Sequence, residues 1–263
     1  MKLTVALGQM DVQLGRPDAN LETVRQMTAV SAEKGADLVV FPELWSTGYD
    51  LENAADYAAP VGLGIFQQVA TLAQQSGVHL VGSNLSLMDG GGFGNTAVFY
   101  NNHGESLGSY SKVHLFGLMD EDRFLAPGRS STLVETPWGK VGLAICYDLR
   151  FPELFRLYAL AGAKTVIIPA EWPYPRLMHW QTLLRARAIE NQMFVVACNR
   201  VGRSKETDFF GHSCVIDPWG AVVVGGGEES GVETAVIDTD LVDEVRARIP
   251  VFADRRPEVY GEW

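Results

Sequence analysis

The segment VGLAICYDLRFPEL, residues 141–154, contains the local pattern that decides the fold. Its first part, VGLAIC, is an apolar run with the length of a buried strand. Pro152 then supplies the first residue of a helix after a short turn. Strand, turn and helix in this order are typical of a sheet covered by helices. The segment therefore predicts an α/β protein in which Cys146 lies at the end of a strand.

Apolar runs alternate with helical patterns on both sides of this segment. The predicted strands are Leu3–Met10, Asp37–Phe41, His79–Asn84, Asn95–Tyr100, Glu105–Lys112, Thr132–Thr136, Val141–Ile145, Lys164–Ile168, Met193–Asn199, His212–Asp217, Ala221–Val224 and Glu233–Asp238. The predicted helices are Pro17–Glu33, Gly64–Gln75, Pro152–Ala161, Leu177–Asn191 and Leu241–Arg248. Because short turns join some neighbouring strands, we expect a mixed sheet.

Two segments of the chain resemble each other. LVVFPELW at Leu38–Trp45 and VIIPAEW at Val166–Trp172 both run from an apolar strand through proline to glutamate and tryptophan. This echo suggests that the protein has two similar halves. No linker or low-complexity segment divides the chain, so one domain over residues 1–263 is predicted.

Composition and charge narrow the possible partners and location. The net charge is -11, which argues against nucleic acid or an anionic membrane surface as a partner and favours a small molecule. Three sparse cysteines in 263 residues do not form a disulfide framework, and the N-terminal apolar run is too short for a signal peptide. We therefore expect a cytoplasmic protein without a membrane span.

Cys146 is the candidate nucleophile. A turn between a strand and a helix exposes a side chain above the sheet edge, and the backbone N–H of the next residue, Tyr147, can point at a developing oxyanion. The alternative is that Cys146 is a small buried hydrophobic residue. Cys198 and Cys214 lie inside strand patterns and are predicted to belong to the core.

Glu43 and Lys112 are candidates to activate this thiol. Glu43 follows the strand pattern DLVVFP, and Lys112 ends ESLGSYSK before the apolar stretch VHLFGLM. The alternatives are a surface carboxylate in a loop and a lysine whose ammonium reaches solvent. A neighbouring ammonium favours thiolate and stabilises an oxyanion, while a carboxylate can transfer the protons. The chemistry of the three residues is therefore complementary.

Metal and cofactor binding are not predicted. The five histidines, at positions 79, 103, 114, 179 and 212, form no HxxxH pair, and no CxxC motif occurs. The glycine-rich run Gly90–Gly94 lacks the GxGxxG spacing and leads into a strand, so it is interpreted as a flexible loop.

The motifs around these residues, taken in order, resemble those of the nitrilase superfamily of carbon–nitrogen hydrolases. The resemblance rests on FPEL with Glu43, YSKVHLF with Lys112, EDRFLAPG with Glu121 and GLAICYDLRFPEL with Cys146, and it continues through HWQTLLRARAIENQMFVVACN to GHSCVIDPWG. It implies a four-layer αββα sandwich with Glu43, Lys112 and Cys146 at one end of two stacked sheets. It also implies that Glu121 orients Lys112 and the substrate, and that subunits pair as dimers or higher oligomers through the helix Pro152–Ala161.

The resemblance extends to a subgroup. Tyr147-Asp148 stands where nitrile-cleaving members typically have Trp-Glu, which favours amides. ELWSTGYD, KVHLFGLMDE, ICYDLRFPE and IPVFADRRPEVY look most like the Nit2-type ω-amidases, in particular a bacterial branch similar to methionine-salvage enzymes. The Nit2-type ω-amidases hydrolyse the terminal amide of 2-oxo-dicarboxylic acid monoamides such as α-ketoglutaramate. An N-carbamoyl or short aliphatic amidase is the alternative, whereas a non-enzymatic interaction protein is disfavoured because all three triad positions carry competent side chains.

Such an acidic substrate requires a partner for its carboxylate. Arg176 is the predicted partner, because a guanidinium can hold a carboxylate through two hydrogen bonds. Trp172, Phe116 and Tyr49 are predicted to wall the pocket, with core packing as the alternative. Arg150 and Glu153 are interpreted as structural, through an ion pair or a role at the helix start. Asp148 is expected to orient the turn.

Overall fold

The computed structural model describes residues 1–261 and contains two six-stranded sheets and a separate hairpin. The strands are β1 (Lys2–Gln9), β2 (Leu38–Val40), β3 (His79–Leu87), β4 (Phe93–Tyr100), β5 (Ser106–Ser111), β6 (Leu133–Thr136), β7 (Gly139–Leu143), β8 (Ala163–Ala170), β9 (Phe194–Asn199), β10 (Val201–Ser204), β11 (Thr207–Phe210), β12 (Cys214–Ile216), β13 (Val222–Gly225) and β14 (Gly231–Asp238). The helices are α1 (Pro17–Glu33), α2 (Ala54–Tyr57), α3 (Gly64–Ser76), α4 (Glu121–Phe124), α5 (Pro152–Leu160), α6 (Leu177–Asn191), α7 (Asp240–Arg248) and α8 (Pro257–Tyr260).

The two sheets have the same topology. The first has the order β14-β1-β2-β3-β4-β5, and the second, in the corresponding direction, β6-β7-β8-β9-β12-β13. In each sheet three parallel strands lie in the middle, with one antiparallel strand on one side and two on the other. This equivalence confirms the prediction of two similar halves and of mixed sheets. It also makes β2 and β8, the strands before Glu43 and Glu171, structural counterparts.

The helices and sheets form four layers. Along β1, Val5 and Leu7 belong to the core shared with the second sheet, whereas Ala6 packs in the cluster that contains residues of α1 and α3. This alternation follows from the opposite directions of successive side chains in a strand. On the other side, α5 and α6 bury Phe155 and Trp180 in the core of the second sheet. The order helix, sheet, sheet, helix confirms the predicted αββα sandwich.

The strands of the second sheet have helices on one face and the first sheet on the other. Every residue of β9 is buried, and so is every residue of β8 except Lys164. This burial explains why these strands appear in the sequence as continuous apolar runs and not as alternating patterns. The same feature made them easy to predict as strands.

Most predicted elements agree with the structure, and α1 and α6 have the predicted bounds. The hairpin β10–β11 was not predicted, because the segment from Val201 to Phe210 is mostly polar and has no regular alternation. The four-residue helices α2 and α4 are too short to show a helical period. Gly90, Gly91 and Gly92 form the turn between β3 and β4 and all have positive φ, which glycine adopts without strain.

Two expectations concern the whole chain. The single domain over residues 1–263 remains a prediction, and residues 262 and 263 lie outside the described part. Within residues 1–261, no helix combines the length and the apolar character needed to cross a bilayer. Cys198 and Cys214 are buried core residues, as predicted.

Candidate active site

Glu43, Lys112, Glu121 and Cys146 come from four separate segments and meet at one end of the two sheets. Glu43 follows β2, Lys112 follows β5, Glu121 begins α4 and Cys146 follows β7. Glu43, Lys112 and Glu121 are fully buried, and Cys146 is 5% exposed. The structure therefore brings together the residues that the sequence singled out, in a place that solvent hardly reaches.

The ammonium of Lys112 binds two carboxylates. Its Nζ donates hydrogen bonds of 2.7 Å to Glu43 Oε1 and of 2.7 Å to Glu121 Oε1. Burial lowers the pKa of Lys112, but the negative charges of Glu121 and Glu43 raise the pKa more, and it ends above its usual value. Lys112 is therefore a permanent cation in this site.

Glu43 is held on both of its oxygens. Oε1 also accepts a hydrogen bond of 2.7 Å from Asn95 Nδ2, and Oε2 accepts one of 2.9 Å from the backbone N–H of Glu171. The following residue, Leu44, has φ 43°, and its N–H donates to Ser83 Oγ at 2.9 Å. A tight, hydrogen-bonded turn thus fixes the carboxylate at the end of β2.

Glu121 is oriented by the loop that precedes α4. Its Oε2 accepts a hydrogen bond of 2.6 Å from the backbone N–H of Phe116, and its Oε1 accepts one of 2.9 Å from the Tyr49 hydroxyl. Burial raises the pKa of Glu121, Lys112 lowers the pKa and Glu43 raises it again. Tyr49 thus supports Glu121, and it is absent from the described residues that line the cleft above Cys146. The role of Tyr49 in the pocket wall stays a prediction, and its hydroxyl binds Glu121.

The turn after β7 gives Cys146 an unusual backbone conformation. Cys146 has φ 44°, a left-handed conformation that is uncommon for residues with a side chain and that recurs at functional sites. The buried carboxylate of Asp148 stabilises this turn by accepting hydrogen bonds from Ile145 N–H at 2.9 Å and from the Tyr110 hydroxyl at 2.8 Å. It also accepts one of 3.1 Å from the backbone N–H of His114, which follows Lys112 closely in the chain. The prediction that Asp148 orients the turn is confirmed.

The protonation state of Cys146 depends on opposing effects. Burial raises the pKa of the Cys146 thiol well above its usual value and Glu43 raises it further, whereas Lys112 lowers it. Lys112 thus acts in the expected direction, but it does not make thiolate the resting form. The sulfur holds its proton until a base removes it, and Glu43 is the adjacent carboxylate.

A narrow cleft opens above the sulfur. Its lining includes Cys146, Phe116, Arg150, Glu171, Trp172 and Arg176. Trp172 is 3% exposed, and its Nε1 donates a hydrogen bond of 3.2 Å to the carbonyl oxygen of Arg176. Trp172, Phe116 and Arg176 therefore lie where the sequence prediction placed them, and Tyr147 lines the same cleft.

Two guanidinium groups flank the cleft. The Arg176 guanidinium lies 5.5 Å from the ring centre of Phe116, and that of Arg150 lies 4.8 Å from the ring centre of Trp172. Burial lowers the pKa of Arg176, and the positive charge of Arg150 lowers it further. No ion pair of either arginine is found within residues 1–261. The cleft therefore offers two cations to an anionic ligand.

Sequence reasoning missed two residues of the cleft. Arg150 was interpreted as structural, but it contacts Trp172 and His179 and not Glu153, because the 3₁₀ turn Cys146–Arg150 directs it into the cleft. Its position four residues after the nucleophile was the available signal. Glu171 appeared in the sequence analysis only within the segment Val166–Trp172, which resembles Leu38–Trp45. The equivalent position of that other segment carries Glu43. Among residues 1–261, no group of three or more His, Cys, Asp or Glu side chains is arranged to hold a metal ion.

Fold and site together define a class of protein. A buried thiol, a carboxylate and an ammonium lie together at one end of an αββα sandwich, and these groups suit the hydrolysis of carbon–nitrogen bonds through a cysteine nucleophile. The sequence profile of the carbon–nitrogen hydrolase family matches residues 4–247, and the chain belongs to this family.

Individual relatives confirm the resemblance seen in the sequence. The 2-oxoglutaramate amidase of Bacillus subtilis (strain 168) is 42% identical over 260 residues, which covers 99% of this chain and 100% of that protein. The omega-amidase NIT2 of Danio rerio is 33% identical, with 99% of this chain and 97% of the relative covered. The crystal structure of Saccharomyces cerevisiae Nit3, a member of branch 10 of the nitrilase superfamily, superposes with a TM-score of 0.88 at 30% identity and covers 95% of both chains.

Proposed function

We propose that this protein is an ω-amidase, which hydrolyses the terminal amide of a small 2-oxo acid such as 2-oxoglutaramate to a carboxylate and ammonia. The observation that carries the proposal is a buried thiol beside Glu43 and Lys112, under a cleft flanked by two guanidinium groups. The names of the Bacillus subtilis and Danio rerio relatives support the same substrate class.

In the acylation step, Cys146 attacks the carbonyl carbon of the amide. Glu43 accepts the thiol proton as the C–S bond forms, because burial keeps that proton on sulfur at rest. The Lys112 ammonium and the backbone N–H of Tyr147 stabilise the oxyanion. Glu43 then donates the proton to the nitrogen, the C–N bond breaks, and ammonia leaves a thioester on Cys146.

In the deacylation step, water attacks the thioester. Glu43 accepts a proton from the water, the tetrahedral oxyanion forms again at Lys112 and Tyr147, and the C–S bond breaks. The carboxylic acid product leaves, and the proton returns from Glu43 to the sulfur. Glu121 acts through Lys112, which it holds at 2.7 Å, so it is a positioning residue in this scheme.

The cleft binds the carboxylate of the substrate, at the end away from the amide. Arg176 and Arg150 supply hydrogen-bond donors with positive charge, and guanidinium groups bind carboxylates through two parallel hydrogen bonds. Phe116 and Trp172 line the cleft and enclose the short apolar part of the substrate.

A panel of substrates tests the proposed function. Ammonia release is to be measured side by side from 2-oxoglutaramate, glutaramate, propionamide, N-carbamoyl-β-alanine and a nitrile. We expect the highest kcat/KM for 2-oxoglutaramate, because it alone combines the amide with a 2-oxo carboxylate of this length. A higher kcat/KM for N-carbamoyl-β-alanine or propionamide would assign the protein to the alternative amidase activity.

Replacing Arg176 by alanine tests how the substrate is oriented. The variant loses a charged hydrogen-bond donor worth about 1.5–3 kcal/mol, so KM for 2-oxoglutaramate should rise about tenfold or more. The kcat/KM for propionamide, which has no carboxylate, should stay within about twofold and serves as the control. An equal loss on both substrates would contradict a role of Arg176 in binding the carboxylate.

The proposal includes an assembly and a location. Leu157 and Leu160 on α5 are 41% and 38% exposed, which supports a homodimer or a higher oligomer paired through this helix. Light scattering of the purified protein measures this, and a monomeric mass would contradict it. The three free thiols fit a reducing, cytoplasmic compartment, which fractionation of the source cells would test.

A further inference from the structure

Glu171 is a buried carboxylate of the cleft that the mechanism above does not use. It follows directly after β8, the counterpart of β2, and so occupies in the second half the place that Glu43 occupies in the first. The residue is fully buried and lines the cleft together with Cys146. A carboxylate in such a place requires hydrogen-bond donors.

Only one of the two Glu171 oxygens has such a donor. Oε2 accepts a hydrogen bond of 3.1 Å from Arg200 Nη1. Arg200 is itself fixed, since its Nη2 donates to the carbonyl oxygen of Val12 at 2.7 Å and its guanidinium lies 4.3 Å from the ring centre of Phe209. Oε1 is buried and has no hydrogen-bond partner among residues 1–261. The carboxylate is thus rigidly oriented with one acceptor atom unused.

Glu171 also lies next to Glu43, the carboxylate that transfers protons in the proposed mechanism. Its backbone N–H donates to Glu43 Oε2 at 2.9 Å. In the proposed reaction Glu43 protonates the departing nitrogen, so that nitrogen has to lie near Glu43. The neighbouring residue Glu171 is therefore close to the place of the –NH₂ group and not to the far carboxylate, which binds at the arginines.

The hydrogen-bonding groups of the cleft differ in kind. Arg150 and Arg176 can only donate, and Glu171 is the one carboxylate among the described residues that line the cleft. A carboxamide presents a carbonyl acceptor and two N–H donors. In the proposed mechanism, Lys112 and the backbone N–H of Tyr147 donate hydrogen bonds to the carbonyl oxygen of the amide, whereas the N–H groups of the amide need an acceptor.

We propose that Glu171 Oε1 accepts a hydrogen bond from the –NH₂ of the amide to be cleaved, and that Glu171 thereby determines the specificity for an unsubstituted amide over the carboxylic acid product. This inference rests on the proposed function and names the group that recognises the leaving nitrogen. The amide satisfies the unused acceptor, whereas the product carboxylate places a negative oxygen against it and is repelled.

The ionisation of Glu171 sets the pH range in which it can repel the product carboxylate. Burial raises the pKa of Glu171 to about 8, with Glu43 raising it and Arg200 and Lys112 lowering it. Without a ligand, the carboxyl group is therefore ionised mainly above pH 8, and the repulsion of the product operates in this ionised form. An amide N–H supplies the missing donor and favours the ionised form.

Binding to a variant that cannot react tests the inference. With Cys146→Ala as background, the affinities for 2-oxoglutaramate and 2-oxoglutarate are measured by calorimetry above pH 8, where Glu171 is ionised, with and without Glu171→Gln. The glutamine directs its oxygen to Arg200, which only donates, and so presents its –NH₂ to the cleft. We expect the affinity for the amide to fall at least about tenfold and that for 2-oxoglutarate to stay equal or rise. An equal change for both ligands, or no change, would overturn the inference.

A second variant covers the case in which glutamine disturbs the fold. Glu171→Asp keeps the negative charge beside Arg200 but withdraws the acceptor by one methylene, so it should also weaken binding of the amide more than binding of 2-oxoglutarate. The matched control is Asp11→Asn, which removes a charge 3.2 Å from Arg200 Nη2 at a residue that is not among those lining the cleft. It should leave the ratio of the two affinities unchanged, and a change as large as that of Glu171→Gln would also overturn the inference.

Turnover by the enzyme with Cys146 separates this inference from the proposed function. If the unmodified protein releases no ammonia from any amide, both proposals fail. If it hydrolyses 2-oxoglutaramate while the affinity ratio in the Cys146→Ala background does not respond to Glu171, only the inference fails. If the unmodified protein hydrolyses 2-oxoglutaramate and the affinity ratio responds to Glu171→Gln as expected, this substitution should also lower kcat/KM for 2-oxoglutaramate at least about tenfold.

Discussion

Replacing Cys146 by alanine should lower ammonia release from 2-oxoglutaramate by at least about 10⁴-fold, because the covalent route begins at this sulfur and the remaining residues cannot replace a nucleophile. The fold should persist, since the change removes one buried atom and Asp148 still holds the turn through Ile145 and Tyr110. Ammonia is measured with a coupled assay, and folding with thermal denaturation.

Cys198 provides the matched control for this variant. It is another fully buried free thiol, on β9, and it lies outside the cleft. Cys198→Ala should keep most of the turnover while costing stability through a small cavity, about 1 kcal/mol. Mass spectrometry of the unmodified enzyme after brief exposure to substrate should show an acyl adduct on Cys146. Full activity of Cys146→Ala would refute the mechanism.

Replacing Lys112 by methionine should have the second largest effect, on both turnover and stability. Loss of one oxyanion donor costs about 2.7–4 kcal/mol, which is on the order of 10²–10³ in kcat. The variant also leaves the buried carboxylates of Glu43 and Glu121 without their cation. Breaking a buried pair by removing one partner costs about 3–5 kcal/mol, so the free energy of unfolding should fall by a similar amount.

The loss of stability in Lys112→Met should depend on pH. Without Lys112, which lowers the pKa of Glu121, that pKa rises further above its ordinary value of 4.5. The folded variant then binds more protons than its unfolded chain, so its stability decreases as the pH rises from about 4.5 through the raised pKa. Denaturant titrations at pH 5 and pH 8 should therefore show a larger loss relative to the unmodified protein at pH 8.

Lys140 is the control for this prediction. It pairs with Glu135 at 3.5 Å on the surface, where the two side chains are 43% and 78% exposed. Lys140→Met should change the stability by no more than about 1 kcal/mol and leave kcat unchanged. A loss of turnover below tenfold in Lys112→Met would contradict the role assigned to the ammonium.

Local sequence patterns were sufficient for the elements and for the residues that carry the chemistry. The proline at the start of α5, the glycine after α3 and the apolar runs of β8 and β9 are recognisable because caps and periodicity depend on neighbours in the chain. Glu43, Lys112 and Cys146 were recognisable because each lies at or just after the end of a predicted strand. The motifs around them then predicted the αββα sandwich.

The details of the site depended on contacts between distant parts of the chain. Glu171 donates to Glu43 across 128 positions, and Tyr49 binds Glu121 across 72. Such pairings follow from the order of strands in the two sheets. A local periodicity of two or 3.6 residues in the sequence contains no information on this order. For the same reason the sequence did not reveal that Tyr49 binds Glu121, and it overlooked Arg150 as a residue of the cleft.

The protonation state of the nucleophile was also predictable only in part from the sequence. The residue types identified a thiol, an ammonium and a carboxylate with complementary chemistry. This predicted that Lys112 lowers the pKa of the Cys146 thiol. The tertiary structure decided the outcome, because burial and the charge of Glu43 raise the pKa of the thiol more than Lys112 lowers it. Local patterns encode strands, helices and reactive groups, whereas burial and distance arise only when the two sheets pack together.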